Sequence, residues 1–304
     1  MKKSTQALDD LYRGWMETIA DNPAITINDI RDLFEHWGDV TAEPGDIDYR
    51  LQSLEKCQAM WIEPAGCQKD KVLLCAHGGG YAFGSMYSHR KLFGHFAKKT
   101  GCRALVVDFR RAPEFTHPVP VSDMVDAYSW LLDSGEVKSA DDVIFVGDSA
   151  GGALAVTMLL LARERGLPMP AASIAVSAYL DMEAKGASYD RNASVDFLGS
   201  REGNLQFISV FLGKDGDPRN PLANPLHADL TGLPPIMLQV GGADVLEDDS
   251  VLFHERAKAA GVDVELEIFP GMPHVFHFLA GNLAQADEAL SKAAIFAQRH
   301  LNIV

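Results

Sequence analysis

The chain has 304 residues, of which 47% are hydrophobic and 23% are charged. This length and composition suffice for one large α/β domain with insertions or for two small domains. Asp and Glu outnumber Lys and Arg by 42 to 27, which gives a net charge of −15. Such an acidic chain argues against nucleic acid and anionic membrane surfaces as partners.

The first residues carry a basic pair, but no apolar run follows it, and no run approaches the length of a membrane span. We therefore expect a cytoplasmic protein without a membrane partner. Cys75 and Cys102 lie in apolar strand-like runs and are predicted to be reduced core residues. Cys57 and Cys67 flank a strand, and free thiols are expected there too. The four cysteines show no metal-type pairing, so no metal site is predicted.

Two amphipathic stretches with helical periodicity lie within residues 1–45, one at 8–16 and one at 27–34. After about residue 47, strands and helices alternate, which predicts a mostly parallel sheet covered by helices on both faces. The first two candidate strands are separated by a short turn and predict an antiparallel hairpin. The eight candidate strands are 47–53, 57–64, 71–77, 102–108, 142–148, 171–178, 235–241 and 263–269.

Three consecutive glycines follow the third candidate strand, in His77-Gly78-Gly79-Gly80. Glycines leave backbone N–H groups unshielded and free to adopt positive φ. Such donors can stabilise the charged oxygen of a tetrahedral intermediate. A flexible turn is the alternative interpretation. His77 is expected to organise the loop through hydrogen bonds rather than to act as a base.

A G-x-S-x-G sequence at residues 147–151 stands between the fifth candidate strand and a helix rich in Ala and Leu. A serine at such a turn is held in a strained conformation that presents its hydroxyl above the sheet. The pattern alone is weak, because small-residue turns are common. Its place between strand and helix, with a glycine loop upstream, favours Ser149 as a nucleophile.

Residues 183–230 interrupt the alternation with helical or irregular sequence. We expect this segment and residues 1–45 to form the two parts of a cap over the carboxyl ends of the strands, where open α/β sheets bind ligands. The alternative is that these helices only cover sheet edges. The core then comprises residues 46–182 and 231–304. An apolar face in the insertion is formed by Phe197, Leu198, Phe207, Ile208, Phe211 and Leu212.

A serine hydroxyl needs an imidazole to take its proton, and the imidazole needs a carboxylate to hold its tautomer. With a serine at this kind of turn, the chain order is serine, acid, histidine. Asp244 is the first carboxylate after the strand at 235–241 and is predicted to be the acid. Glu247, Asp248 and Asp249 follow in the first turn of a helix, where capping and the helix dipole explain them.

His274 follows the last candidate strand, in Pro270-Gly271-Met272-Pro273-His274, where the third member should lie. His277 is its main rival, but it is predicted to belong to the following helix. The remaining histidines have no partner visible in the sequence, and we expect them to be structural or solvated.

Together these motifs resemble the hormone-sensitive-lipase-like family of α/β-hydrolases, the bacterial carboxylesterases with H-G-G-G and G-D-S-A-G-G motifs. The resemblance extends from about residue 70 to 280. It implies an α/β-hydrolase fold with a mostly parallel eight-stranded sheet, helices on both faces and a helical cap. The matching residues are 77–80, 147–152, 242–246 and 271–276, with support at 108–114, 117–120, 224–226 and 233–235.

The resemblance also implies a role for each motif residue. Ser149 would be the nucleophile, His274 the general base and acid, and Asp244 the orienting carboxylate. Gly78 is a weaker candidate donor that would mainly shape the glycine loop. The oxyanion donors would be the backbone N–H groups of Gly79, Gly80 and Ala150.

Side chains near these motifs are candidates for the substrate pocket, although ordinary packing under the cap explains each of them equally well. Tyr81 stands where the family often has Phe or Trp, and residues 109–111 replace the commoner Tyr-Arg-Leu, which affects the pocket rather than the chemistry. The pocket candidates are Tyr81, Phe83 and Met86 after the glycine loop, and Phe197, Phe207 and Phe211 in the cap.

The sequence thus predicts a serine carboxylic-ester hydrolase that acts through an acyl-enzyme on small esters with short or medium acyl chains, without metal or organic cofactor. Lactone hydrolysis and acyl transfer use the same triad and are alternatives. A ligand receptor is disfavoured, because all three triad residues are present. The strand at 263–269 is a candidate sheet edge for a homodimer, although Asp263, Glu265 and Glu267 would repel there.

Overall fold

The computed structural model describes residues 4–303. Residues 1–3 and 304, at the ends of the predicted cap and core, lie outside the described residues. The strands are β1 (Ile47–Ser53), β2 (Gln58–Pro64), β3 (Gln68–Ala76), β4 (Cys102–Asp108), β5 (Val143–Asp148), β6 (Ala172–Val176), β7 (Ile236–Gly241) and β8 (Val264–Phe269). The α-helices are α1 (Gln6–Asp21), α2 (Ile27–Phe34), α3 (Met86–Thr100), α4 (Val119–Asp133), α5 (Ala150–Glu164), α6 (Ser188–Arg191), α7 (Arg201–Leu212), α8 (Glu247–Ala259) and α9 (Ala284–Leu301).

The strands form one sheet in the order β1-β2-β4-β3-β5-β6-β7-β8. β1 and β2 form the predicted antiparallel hairpin, and β2 pairs antiparallel with β4. Every pair from β4 to β8 is parallel. The predicted mostly parallel, eight-stranded sheet is therefore confirmed. β8 lies at its edge, where Glu265 and Glu267 pair with Arg299 and Lys292 of α9.

Alternation along the central strands divides the core into two layers. In β3, Val72 and Leu74 face one layer, whereas Leu73 and Cys75 face the other. Both layers are fully buried, as expected for a parallel sheet with helices on both faces. α3 and α9 pack on one face, while α5 and α8 pack on the other and α4 packs against α5. Cys75 and Cys102 are buried free thiols, as predicted.

The amino-terminal helices are joined to the core by aromatic packing. A capping box between Thr26 and Asp29 starts α2. The Trp15 and Trp37 rings make edge-to-face contact at 5.5 Å, and Trp37 stacks on Phe278 at 5.2 Å. Phe278 lies after β8, so Trp37 and the helices before it pack beside the segment that follows the last strand.

Residues 183–230 lie at the same end of the sheet. In α7, Phe211 stacks on Tyr81 at 3.6 Å, and Phe207 makes edge contact with Phe83 at 5.6 Å. Arg13 of α1 lies 4.1 Å from the Phe197 ring, so the two inserted segments touch. Their assignment as the two parts of a cap stays a prediction. Within the described part of the chain, no helix has the length and apolarity to traverse a bilayer.

Candidate active site

Ser149 occupies the sharp turn between β5 and α5. Its φ of 54° and ψ of −120° lie where residues with a Cβ are strained, and its N–H donates to the Val176 carbonyl at 2.8 Å. Two glycines make this turn possible. A Cβ at Gly147 would lie 2.1 Å from the Gly151 oxygen, and one at Gly151 would lie 2.0 Å from the Ala76 oxygen. Strand and helix therefore meet without side chains between them.

The glycine loop after β3 packs directly on this turn. A Cβ at Gly78 would lie 2.4 Å from Asp148 Oδ2, so the loop needs glycine to approach so closely. Gly79 has a φ of 111°, and its Cβ would lie 2.2 Å from the Phe83 oxygen. Tyr81 also has a positive φ, 62°, which is strained for a residue with a side chain. The loop is thus held in an unusual backbone conformation.

The amides of this region fall into two groups. The Gly78 N–H donates to His89 Nε2 at 3.1 Å, so it points away from any ligand. Among the hydrogen bonds of residues 4–303, none is donated by the N–H of Gly79, Gly80 or Ala150. The pattern leaves the N–H groups of Gly79, Gly80 and Ala150 available as donors, and the division between them and a loop-shaping Gly78 stays a prediction.

Two buried histidines support the loop from behind. His77 Nδ1 lies 2.8 Å from the Gly78 carbonyl and so donates to it, while the His77 ring stacks on Phe109 at 4.3 Å. His89 Nδ1 lies 2.8 Å from Ser88 Oγ. Because the second nitrogen of His89 accepts the Gly78 N–H, His89 fixes the start of the loop.

Asp244 and His274 come together from the loops after β7 and β8. Asp244 Oδ2 accepts a hydrogen bond from His274 Nδ1 at 2.9 Å, and its Oδ1 accepts the Leu246 N–H at 2.9 Å. This pairing leaves His274 Nε2 as the acceptor nitrogen. The Tyr12 hydroxyl donates to the His274 carbonyl at 3.0 Å and accepts from Trp37 Nε1 at 2.9 Å. The amino-terminal segment therefore holds the histidine loop.

The charges around His274 are mainly negative. Burial opposes the imidazolium form, but Asp244, with its hydrogen bond, and then Asp196 and Asp148 raise the pKa of His274 above its ordinary value. His277 behaves differently, because burial and the charge of His274 lower its pKa to about 3. Of the two histidines, His274 therefore takes up a proton more readily than His277.

The rivals of the predicted triad residues have other partners. His277 lies in the 3₁₀ turn Phe276–Leu279, and its Nε2 bonds to Gln239 Oε1 at 3.0 Å. Three acidic residues do begin α8, but the capping explanation for them needs correction, because their partners lie in residues 180–191. Asp249 accepts the N–H groups of Leu180 and Asp181, Asp248 accepts that of Ser188, and Glu247 pairs with Arg191.

Ser149 and His274 face one cavity, whose empty space of about 470 Å³ includes open solvent at its mouth. Within residues 4–303, no cluster of His, Cys, Asp or Glu could hold a metal ion. The other lining residues are Phe34, Trp37, Gly79, Gly80, Phe83, Tyr179, Asp196, Leu198, Gly199, Asn204, Phe207, Val245 and Leu246.

Of the six predicted pocket residues, Phe83 and Phe207 line this cavity and the other four do not. Tyr81 and Phe211 stack on each other behind the wall. Met86 is buried at the start of α3, and Phe197 lies under the Arg13 guanidinium. The corrected pocket therefore excludes these four side chains.

Several lining residues were not among the predicted pocket residues. Phe34 and Trp37 come from the amino-terminal segment, and Asp196 and Asn204 come from the insertion. The aromatic content of residues 1–45 was a usable clue to a wall of the site. Asp196 has no such clue, because an isolated acidic residue in an irregular segment usually faces solvent.

The chain matches known proteins in both sequence and structure. The family model for the α/β hydrolase fold matches residues 73–278. An acetyl-hydrolase from Streptomyces hygroscopicus is 37% identical over 262 residues, covering 86% of this chain and 85% of that protein. An esterase from Acinetobacter venetianus is 36% identical over 227 residues, covering 75% and 74%. The crystal structure of an esterase from the bacterial hormone-sensitive lipase family has a TM-score of 0.92 and 39% identity, covering 99% of this chain and 100% of that one.

The fold and these matches define the chain as an α/β hydrolase. Within that class it belongs to the family of bacterial hormone-sensitive-lipase-like esterases. Its activity is carboxylic-ester hydrolysis. The predicted family is therefore confirmed.

Proposed function

We propose that Ser149 attacks the ester carbonyl and forms an acyl-enzyme. One observation carries this proposal: Ser149, in a strained backbone conformation, and His274 line the same cavity, and His274 Nδ1 is hydrogen-bonded to Asp244. His274 takes the Ser149 proton and passes it to the leaving alcohol. In the second half of the reaction, His274 takes a proton from a water molecule, and the resulting hydroxide attacks the acyl carbon. His274 then returns the proton to the Ser149 oxygen as the acid leaves.

The negative charge on the tetrahedral oxygen is stabilised by the N–H groups of Gly79, Gly80 and Ala150. Two observations support this assignment. Among the described residues these N–H groups donate to no acceptor, and they lie around the Ser149 turn. Each such donor contributes about 3–4 kcal/mol to lowering the barrier. Gly78 shapes the loop instead, because its N–H is taken by His89.

The substrate proposed is a small ester with a short or medium acyl chain. Aromatic side chains from three segments, Phe34, Phe83 and Phe207, narrow the cavity. The similarity to an acetyl-hydrolase points in the same direction. A lactone would open by the same steps. The cytoplasm as location and a homodimer through the β8 edge also stay predictions.

The first test is hydrolysis of p-nitrophenyl esters from acetate to palmitate. We expect fast turnover of acetate and butyrate and rates at least roughly tenfold lower for the longest chains, since a pocket this small cannot enclose them. Steady-state kcat/KM for each ester gives the comparison. A well-folded protein that hydrolyses none of these esters would contradict the proposal.

The activity should also depend on pH through His274. The base must be neutral to act, and the raised pKa of His274 therefore moves the onset of activity upward. We expect kcat/KM for p-nitrophenyl acetate, corrected for spontaneous hydrolysis, to rise with pH, with its inflection above the ordinary histidine value of 6.5. A flat profile, or an inflection below that value, would count against His274 as the base.

A further inference from the structure

A second buried carboxylate, Asp196, stands in the cavity wall beside the Asp244–His274 pair. It belongs to the insertion, is 6% exposed and lines the same cavity as Ser149. No step of the hydrolysis described above uses it. Burial of a carboxylate costs free energy unless hydrogen bonds or charges compensate for it. The burial of the Asp196 carboxylate therefore needs a compensating interaction.

Three backbone amides hold the Asp196 side chain. Its Oδ1 accepts the N–H groups of Leu198 and Gly199, and its Oδ2 accepts that of Val245, all at 2.9 Å. Val245 directly follows Asp244, so Asp196 grips the loop that carries the orienting carboxylate. At Gly199, a Cβ would lie 2.6 Å from Val245 Cγ2, so glycine is needed for this approach.

Two uncharged side chains extend the same contact. Asn192 Nδ2 donates to the Asp244 carbonyl at 2.7 Å, and Ser188 Oγ donates to the Val245 carbonyl at 2.6 Å. Residues 188–199 thus clamp residues 244–245, and we call them the acid-loop clamp. Asp196 is the residue of this clamp that combines a charge with a place in the cavity wall.

We propose that Asp196 is a positioning residue for the ester hydrolysis described above, which fixes Asp244 through Val245 and adds its own charge to that of Asp244 beside His274. The inference rests on the proposed function. It assigns to the insertion a part in orienting the triad as well as in forming the pocket.

Electrostatics support this role. Burial, and then the charge of Asp244, raise the pKa of Asp196 to about 6, against the lowering effects of His274 and two backbone hydrogen bonds. The ionisable groups that face His274 are the carboxyls of Asp244, Asp196 and Asp148, the imidazole of His277 and the phenol of Tyr12. Once ionised, Asp196 favours the imidazolium form of His274. Its removal should therefore lower the pKa of His274.

The test compares the wild type with Asp196→Asn, a neutral side chain of the same shape. We expect the inflection of kcat/KM against pH to move down by roughly half a unit or more, since an opposite charge nearby shifts a pKa by about 1–3 units. Ser188→Ala is the matched control, because it removes a bond of the same clamp without changing charge. It should lower Tm and leave the inflection in place. Asp215→Asn, an exposed acidic residue of the insertion, should change neither.

An unchanged inflection in folded Asp196→Asn, with only Tm lowered, would overturn the proposal and leave Asp196 as a structural anchor. Asp196→Ser is the second variant. If neither variant folded, the proposal would also be overturned, because Asp196 would then be a structural anchor. NMR titration of the His274 imidazole, assigned with His274→Gln, reports the shift without turnover. An inactive wild type would therefore reject the mechanism proposed for Ser149, while the titration would still decide the effect of Asp196.

Discussion

Replacement of Ser149 by alanine is expected to lower kcat for p-nitrophenyl acetate by about 10⁶-fold, which leaves only the residual catalysis that binding and the oxyanion donors supply. Alanine keeps the Cβ of serine and removes only the hydroxyl, so the turn between β5 and α5 should survive. We expect the melting temperature to change little, because the strain at φ 54° is present in both proteins. Single-turnover kinetics would measure the loss of the chemical step. Mass spectrometry after exposure to a fluorophosphonate would show one covalent adduct on the wild type and none on the variant.

Ser209→Ala is the matched control for this experiment. Ser209 is an exposed serine of α7, outside the cavity wall, and its replacement should leave kcat and labelling unchanged. If Ser149→Ala kept more than a small fraction of wild-type activity, or was labelled at another serine with retained turnover, Ser149 would not be the nucleophile.

Replacement of Asp244 by asparagine is expected to lower kcat by about 10⁴-fold with a small effect on KM. The carboxylate accepts from His274 Nδ1 at 2.9 Å, which keeps Nε2 free to take the serine proton. An amide nitrogen in that place would donate to Nδ1 and favour the tautomer with a hydrogen on Nε2. The remaining amide oxygen can still accept the Leu246 N–H, so the fold of the variant should survive.

The control for Asp244→Asn is Asp263→Asn, which makes the same chemical change at an exposed position before β8. Its kcat should match that of the wild type. Circular dichroism and Tm separate a folded but slow enzyme from a misfolded one. A folded Asp244→Asn variant with kcat within tenfold of the wild type would assign the orienting role to another carboxylate, for which Asp196 is the candidate in the wall.

The sheet and the motif residues were predictable because both depend on local sequence. Short apolar runs mark buried strands wherever they occur, and all eight candidate strands exist. The main difference is that β3 starts at Gln68, three residues before the predicted 71, since its first residues are polar and pair irregularly with β4. Motifs at strand ends were predictable for the same reason, because a parallel sheet gathers those ends along one edge.

The pocket was less predictable because it depends on the direction of side chains in space. Phe207 and Phe211 lie one helical turn apart in α7, yet only Phe207 reaches the cavity, while Phe211 stacks on Tyr81. Asp196 contacts Val245, which lies 49 positions further along the sequence. No periodicity or motif reports such a contact, so a single chain without its structure gives no reason to choose this residue.

The hydrogen bond from Tyr12 to the His274 carbonyl has a consequence for the evolution and engineering of this enzyme. The same amino-terminal segment supplies Phe34 and Trp37 to the cavity wall, and Trp37 donates to the Tyr12 hydroxyl. Grafting this segment from a relative would therefore exchange part of the substrate wall and a support of the catalytic loop in one step. Substrate preference and catalytic competence are physically linked here, so the segment is not an interchangeable module.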